Sequence, residues 1–163
     1  MSILVSDSSV LIDLERGGLL EVAFASGFTM VVPDHLYDNE LRDSNGPYLV
    51  GLGLSVIELT PDEMQLAQEV LNLNSELSLE DCFALACAMR DDHVLLVGDA
   101  ALRTEAERRH VVNKGLLWLL DQMLNLGKAN QSTLCEGLTK ISQHHRCRLP
   151  KGEVERRLRA WCP

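Results

Sequence analysis

Ile3-Leu4-Val5-Ser6-Asp7-Ser8-Ser9-Val10-Leu11-Ile12-Asp13 is the stretch whose reading decides the fold. Its apolar opening, bounded by polar residues, reads as a buried strand. Val10, Leu11 and Leu14 then recur at helical spacing. Asp7 therefore falls where a strand hands over to a helix. In an open parallel sheet that point is the carboxyl end of a strand, where ligands bind. Asp is equally a preferred helix N-cap. A chemical role for Asp7 thus depends on other acids converging on it.

Outward from this stretch the pattern repeats. Gly17-Gly18 break the first helix, and Leu19 to Phe24 suggest a second, ended near Gly27. Phe28 to Val32 is a strand stopped by Pro33, and Asp34 is placed to cap the next helix, which carries Leu36, Tyr37, Glu40 and Leu41. Ser44-Asn45-Gly46-Pro47 reads as a loop, and Leu54 to Leu59 as a weaker strand. Thr60-Pro61-Asp62-Glu63 starts a helix running to about Leu73. Ser78-Leu79-Glu80-Asp81 starts another, rich in small apolar residues. Val94 to Val97 is a buried strand ended by Gly98-Asp99, Ala100 to Arg109 is helical, and Val111-Val112 is a short candidate strand. Leu116 to Leu126, Ser132 to His145 and Lys151 to Trp161 read as three further helices. Strands alternating with helices predict a three-layer α/β/α sandwich with a mostly parallel central sheet and a helical C-terminal extension.

A length of 163 residues gives one domain with a real core. A hydrophobic share of 46% with 24% charge is that of a soluble globular protein, and no segment reaches the roughly 18 apolar residues of a membrane helix. The N-terminus lacks a basic region and a signal core, so a cytoplasmic protein with no membrane partner is expected. The five cysteines, at 82, 87, 135, 147 and 162, form no CxxC pair and are odd in number, so five reduced thiols are expected. His144-His145 near Cys147 lacks a fourth close metal ligand.

The net charge of −9 disfavours a general nucleic-acid coat. It leaves room for an enzyme that meets phosphate through bound cations, which invert the local field. Arg103, Arg108, Arg109 and Lys114 fall together, and Arg146, Arg148, Lys151, Arg156, Arg157 and Arg159 crowd the tail. For the tail group a solvated helix face is the simpler reading.

Asp7 and Asp99 each follow a strand, Asp81 opens the helix leading into the second of those strands, and Glu40 lies one or two turns into the helix after Pro33. Parallel strands end on one edge, so Asp7 and Asp99 can meet there, with Glu40 and Asp81 entering from helices. Each acid also has a structural reading: Asp7 and Asp99 as caps, Asp81 in a capping box with Ser78, Glu40 as a solvated face residue. Clustered carboxylates repel unless a cation neutralises them. Mg²⁺ and Mn²⁺ suit oxygen ligands, and two such ions can activate water against a phosphodiester. No P-loop, GxGxxG, GxSxG or HExxH motif is present.

Four stretches resemble the PIN-domain family of Mg²⁺/Mn²⁺-dependent ribonucleases. They are Ile3 to Ile12, Val32-Pro33 followed by Glu40, Glu80-Asp81 through Ala88, and Leu95-Leu96-Val97-Gly98-Asp99-Ala100-Ala101-Leu102-Arg103. The likeness spans roughly residues 3 to 126. It divides the chain into a PIN-like domain over 1–126 and a helical extension over 127–163 packed on the same domain. It looks closest to small prokaryotic PIN proteins that act as toxins of toxin–antitoxin pairs. The resemblance implies metal-binding catalytic acids at Asp7, Glu40, Asp81 and Asp99. It implies supporting hydroxyls at Ser8 or Ser9, and Arg103 as a candidate substrate-binding residue. The implied reaction is endonucleolytic RNA cleavage by metal-activated water, with a homodimer and an antitoxin as the implied partners. One departure stands out: Val97 occupies a place where the family often has Thr or Ser.

Two other readings compete. A PIN-like fold can serve as a catalytically weak or inactive binding or assembly module, which suits Val97, the net acidity and the apolar tail. A phosphatase-like hydrolase using Asp7 as nucleophile wants a second Asp nearby and a downstream Lys. Position 9 is Ser, and the first Lys is Lys114.

Overall fold

In the computed structural model, which describes residues 2–163, β1 (Ile3–Ser6) lies at the centre of a five-stranded sheet. It is flanked by β2 (Thr29–Pro33) and β4 (His93–Leu96), with β3 (Ser55–Ile57) and β5 (Asn113–Lys114) outermost. Every pairing is parallel, and Ser6 stands opposite Leu96. Leu4 and Val5 point to opposite faces yet both are buried, as are Leu95 and Leu96. A strand buried on both faces needs helices above and below it, and that makes the expected three-layer sandwich. The two edge strands are three and two residues long, which limits the backbone they leave open to another sheet.

The helices are α1 (Ser8–Arg16), α2 (Leu20–Ala25), α3 (Asp34–Leu36), α4 (Gly46–Leu52), α5 (Pro61–Leu73) and α6 (Leu79–Ala88). They are followed by α7 (Ala100–Arg108), α8 (Leu116–Asn125), α9 (Gln131–Gln143) and α10 (Lys151–Trp161). Helix α6 is buried from Cys82 to Ala88, so its small residues let it lie against the sheet. Helix α3 runs on into a π-helical turn, Tyr37–Leu41, that carries Glu40. Such turns are rare and recur at functional sites.

Three expectations change. Gly46-Pro47 opens α4 rather than closing a loop, because Pro without its N–H fits the first helical turn. Pro33, not Asp34, is the residue before α3, and Asp34 bonds only the neighbouring His35 N–H. The fifth strand is Asn113–Lys114, directly after Val111-Val112, although the Val112 carbonyl still accepts from Leu95 N–H at 2.9 Å.

The C-terminal helices dock on α1 through glycine. A Cβ on Gly137 would stand 2.6 Å from Leu19, and one on Gly17 would stand 2.8 Å from Ile141. Gly17 therefore serves close helix approach, while Gly18, at φ +65°, makes the turn. Arg157 of α10 grips Asp121 of α8 through two bonds of 2.9 and 2.6 Å. A disulfide joins Cys135 of α9 to Cys162 at the end of α10, which overturns the expectation of five reduced thiols. The start of one helix lies beside the end of the other, an adjacency that spacing along the chain cannot reveal. Cys82, Cys87 and Cys147 are free. Among the described residues no helix is long and apolar enough to cross a membrane.

Candidate functional site

Because β1 and β4 are adjacent and parallel, their carboxyl ends deliver Asp7 and the Gly98-Asp99 pair to one place. Asp7 is 2% exposed. It caps α1, its Oδ1 accepting the Val10 N–H at 3.0 Å and the Ser9 hydroxyl at 2.9 Å. Its Oδ2 accepts the Gly98 N–H at 2.8 Å. Asp99 caps α7, its Oδ1 accepting the Leu102 N–H at 2.9 Å. Asp81 sits in a capping box: its backbone N–H donates to the Ser78 hydroxyl, and its Oδ2 accepts the Ser78 N–H. The structural readings of these three acids are therefore correct, and they do not exhaust the side chains. Asp81 Oδ1 and Asp99 Oδ2 have no protein hydrogen-bond donor among the described residues.

The acids also feel one another. Burial pushes the Asp7 carboxyl above its ordinary range, against the pull of the Gly98, Val10, Ser9 and Asp99 donors. Burial raises Asp81 too, and the negative charges of Asp99 and Asp7 add to the rise. Glu40 is raised by burial of its carboxyl end and by repulsion from Glu80, Asp81 and Asp7, while the nearby Ser8 hydroxyl opposes the rise. Glu40 nevertheless stays exposed over much of its surface. Asp81 thus lies within charge reach of Asp7 and Asp99, and Glu40 within reach of Asp7 and Asp81, while Asp99 and Glu40 line separate depressions.

Two further acids take part. Glu80, held by Asn39 Nδ2 at 2.9 Å, repels Glu40. Asp13 lines a depression with Gly98 and Asp99, its carboxyl raised by burial and tempered by Arg16 at 3.6 Å. Its position six residues after Asp7 on α1 was the available signal, and helical spacing alone did not tell which face the sheet edge would meet. Arg103 lies nearby, its guanidinium donating to the Val97 carbonyl at 3.0 Å. Val97 itself is fully buried, and the hydroxyl beside Asp7 comes from Ser9 instead.

An all-carboxylate set with two free oxygens and mutual repulsion fits a hard divalent cation. Among the described residues no three acids stand close enough to enclose an ion on their own. The acids as placed therefore form no closed protein cage for an ion.

The fold and site define a class: a parallel α/β protein with converging acids at the carboxyl edge of its sheet. The model of a PIN-domain family matches residues 3–162, so the chain belongs to that family. PIN domains are generally nucleases. The match includes the C-terminal helices as well as residues 3 to 126. No curated protein and no solved structure matches the chain.

Proposed function

We propose that the protein is a divalent-metal-dependent endoribonuclease. The observation that carries this reading is the arrival of Asp7 and the Gly98-Asp99 pair at one corner of the sheet edge, with Asp81 close enough to feel the charges of Asp7 and Asp99. Asp7, Asp81, Asp99 and Glu40 are the residues that would hold Mg²⁺ or Mn²⁺. The bound cation supplies a lowered pKa for water and neutralises charge developing on the leaving oxygen. The protein's own groups do the rest. The Gly98 and Val10 N–H donors and the Ser9 hydroxyl fix the Asp7 carboxylate in one orientation. The capping box orients Asp81, and the Leu102 N–H orients Asp99. Asp7, Asp81 and Asp99 are thus each oriented in advance by a backbone donor.

The test is cleavage of single-stranded and structured RNA with Mn²⁺ or Mg²⁺, set against Asp7→Asn and Asp99→Asn. Cleavage by the parent chain and background rates in both variants are expected. Equal cleavage by all three proteins overturns the reading.

A second reading is a binding or assembly module with a weakened site. Val97 at the family's hydroxyl position and the wide spacing of the acids favour it. Calorimetry with Mn²⁺ separates the two: no heat at millimolar metal, with the fold intact, selects the module.

The toxin role, an antitoxin partner and a homodimer rest on the resemblance alone. Growth arrest on expression, relieved by a neighbouring gene's product, tests the first two, and sedimentation of the purified chain tests the third.

A further inference from the structure

Three depressions meet at the Gly98-Asp99 corner, and one side chain lies in the wall of all three. That side chain is Arg148, from the segment between α9 and α10. The first depression, about 180 Å³, runs between Ser9 and Asp99 and is walled by Arg16, Arg146 and Arg148. The second, about 700 Å³, leads away from Asp99 past Thr104 toward Asn74. The third, about 230 Å³, leads from Gly98 past Arg103 to Trp118.

Charge makes this arrangement notable. The chain carries −9, and most of its arginines sit against carboxylates, as Arg90 does with Glu63 and Arg157 with Asp121. Arg146 and Arg148 are exposed and form no ion pair among the described residues. Their segment is fixed at both ends, by α9 packed on α1 and by α10 tied to α9 through Cys135–Cys162. Two unpaired guanidinium groups are thus held beside Asp13 and Asp99 at the carboxyl edge of the sheet.

We propose that the α9–α10 segment is a phosphate-binding strap. Arg146 and Arg148 take the backbone phosphates of a single-stranded RNA on either side of the linkage presented to the acids. The inference rests on the ribonuclease reading and assigns the strand's path. A phosphodiester brought to clustered carboxylates is repelled, and fixed cations flanking the cleavage point offset that repulsion. Arginine suits the task because its planar fork matches phosphate oxygens in pairs. Three depressions leaving one corner suit a polymer that enters and leaves more than they suit a compact ligand. Trp118, half-buried in the third depression with Lys114 Nζ 5.9 Å from its ring, offers a face for a base to stack on. A stacking face beside fixed cations is what a single strand of alternating bases and phosphates uses.

The experiment is fluorescence anisotropy of a short single-stranded RNA with the full chain in EDTA, where cleavage is off, across a salt series. Each phosphate contact on a single strand adds roughly 0.7 to the slope of log affinity against log salt, so Arg146→Gln with Arg148→Gln lowers the slope by roughly 1.4. A rise in Kd of roughly tenfold at low salt accompanies it. Arg159→Gln, on α10 and paired with Glu155, is expected to bind as the parent does. An equal loss in Arg159→Gln makes the effect one of net charge and overturns the strap. Parent-like affinity and slope in the double variant overturn the strap and leave the nuclease reading standing. If that variant keeps its RNA affinity but loses affinity for polyglutamate, the strap serves an acidic protein segment and the proposal fails. No RNA binding by the parent chain in EDTA overturns the strap, and the Mn²⁺ cleavage assay decides the ribonuclease reading separately.

Discussion

Gly98 donates its backbone N–H to Oδ2 of Asp7 at 2.8 Å, joining positions 91 residues apart in the chain. The bond exists because β1 and β4 are parallel neighbours whose ends coincide. It also explains why position 98 has no side chain. A Cβ there would stand 2.3 Å from the Ser9 hydroxyl, which itself bonds Asp7 Oδ1. Gly98→Ala is therefore expected to drive Ser9 off Asp7 and to cost about 1–3 kcal/mol. In a Ser9→Ala background the same change should cost less than half as much, since the obstructing oxygen is gone. A double-mutant cycle by urea unfolding checks this, and additive effects contradict it.

Metal and pH should act on stability together. Asp7, Glu40 and Asp81 have folded pKa values above their ordinary ones, mainly through burial. The folded state then binds more protons than the unfolded state between the ordinary and the raised values. Their contribution to stability is fullest at the acid side of that window and is lost as pH rises through it. In chelator, Asp81→Asn should raise the melting temperature at neutral pH and change it little near pH 4. Mn²⁺ should stabilise the parent chain more at neutral than at acid pH. Calorimetric melting at both pH values, with and without Mn²⁺, decides the matter. A metal effect independent of pH speaks against carboxylate ligation.

The opposite sign applies to Glu63. Arg90 donates to it through Nε and Nη2 at 2.6 and 2.7 Å, and Arg90 holds the carboxyl down at about 2 from an ordinary 4.5. A depressed acid contributes its stability above the unfolded pKa and loses it as pH falls through the folded one. Glu63→Gln should cost on the order of 2 kcal/mol at pH 7, where the pair joins α5 to the end of α6. The difference from the parent should shrink as pH falls from 4.5 toward 2. A constant gap across that range would show that the ion pair is not its source.

Reduction of Cys135–Cys162 should loosen the C-terminal helices. The bridged positions are 27 residues apart, and closing a loop of that size restricts the unfolded chain by about 3–4 kcal/mol. Dithiothreitol and Cys162→Ser should each lower the denaturant midpoint, and their effects should not add. A Cys162→Ser protein as stable as the parent would mean the thiols are not joined in solution.

The parallel sheet was legible in the chain because each buried strand is a short apolar run punctuated by glycine, proline or a cap. Asp7, Asp81 and Asp99 were legible for the same reason: they stand at element boundaries, where local hydrogen bonding already favours Asp. The sequence left their second role open, since a cap and a metal ligand use the same residue type at the same place. Gly46-Pro47 misled because a proline that ends one element can open the next.

By itself, then, the sequence determined the strand–helix alternation, the caps and the acid content, because these depend on near neighbours and on periodicity. Only the tertiary structure decided that Ser9 rather than residue 97 serves Asp7, that Asp13 and Glu80 join the acids, and that Cys135 meets Cys162. Only it brought Arg146 and Arg148 from the tail to the corner at Asp99. Each of these follows from the crossover of β1 beside β4 and from the docking of α9 on α1. Such contacts between distant segments are set by how whole faces pack, which the local pattern of a chain does not encode.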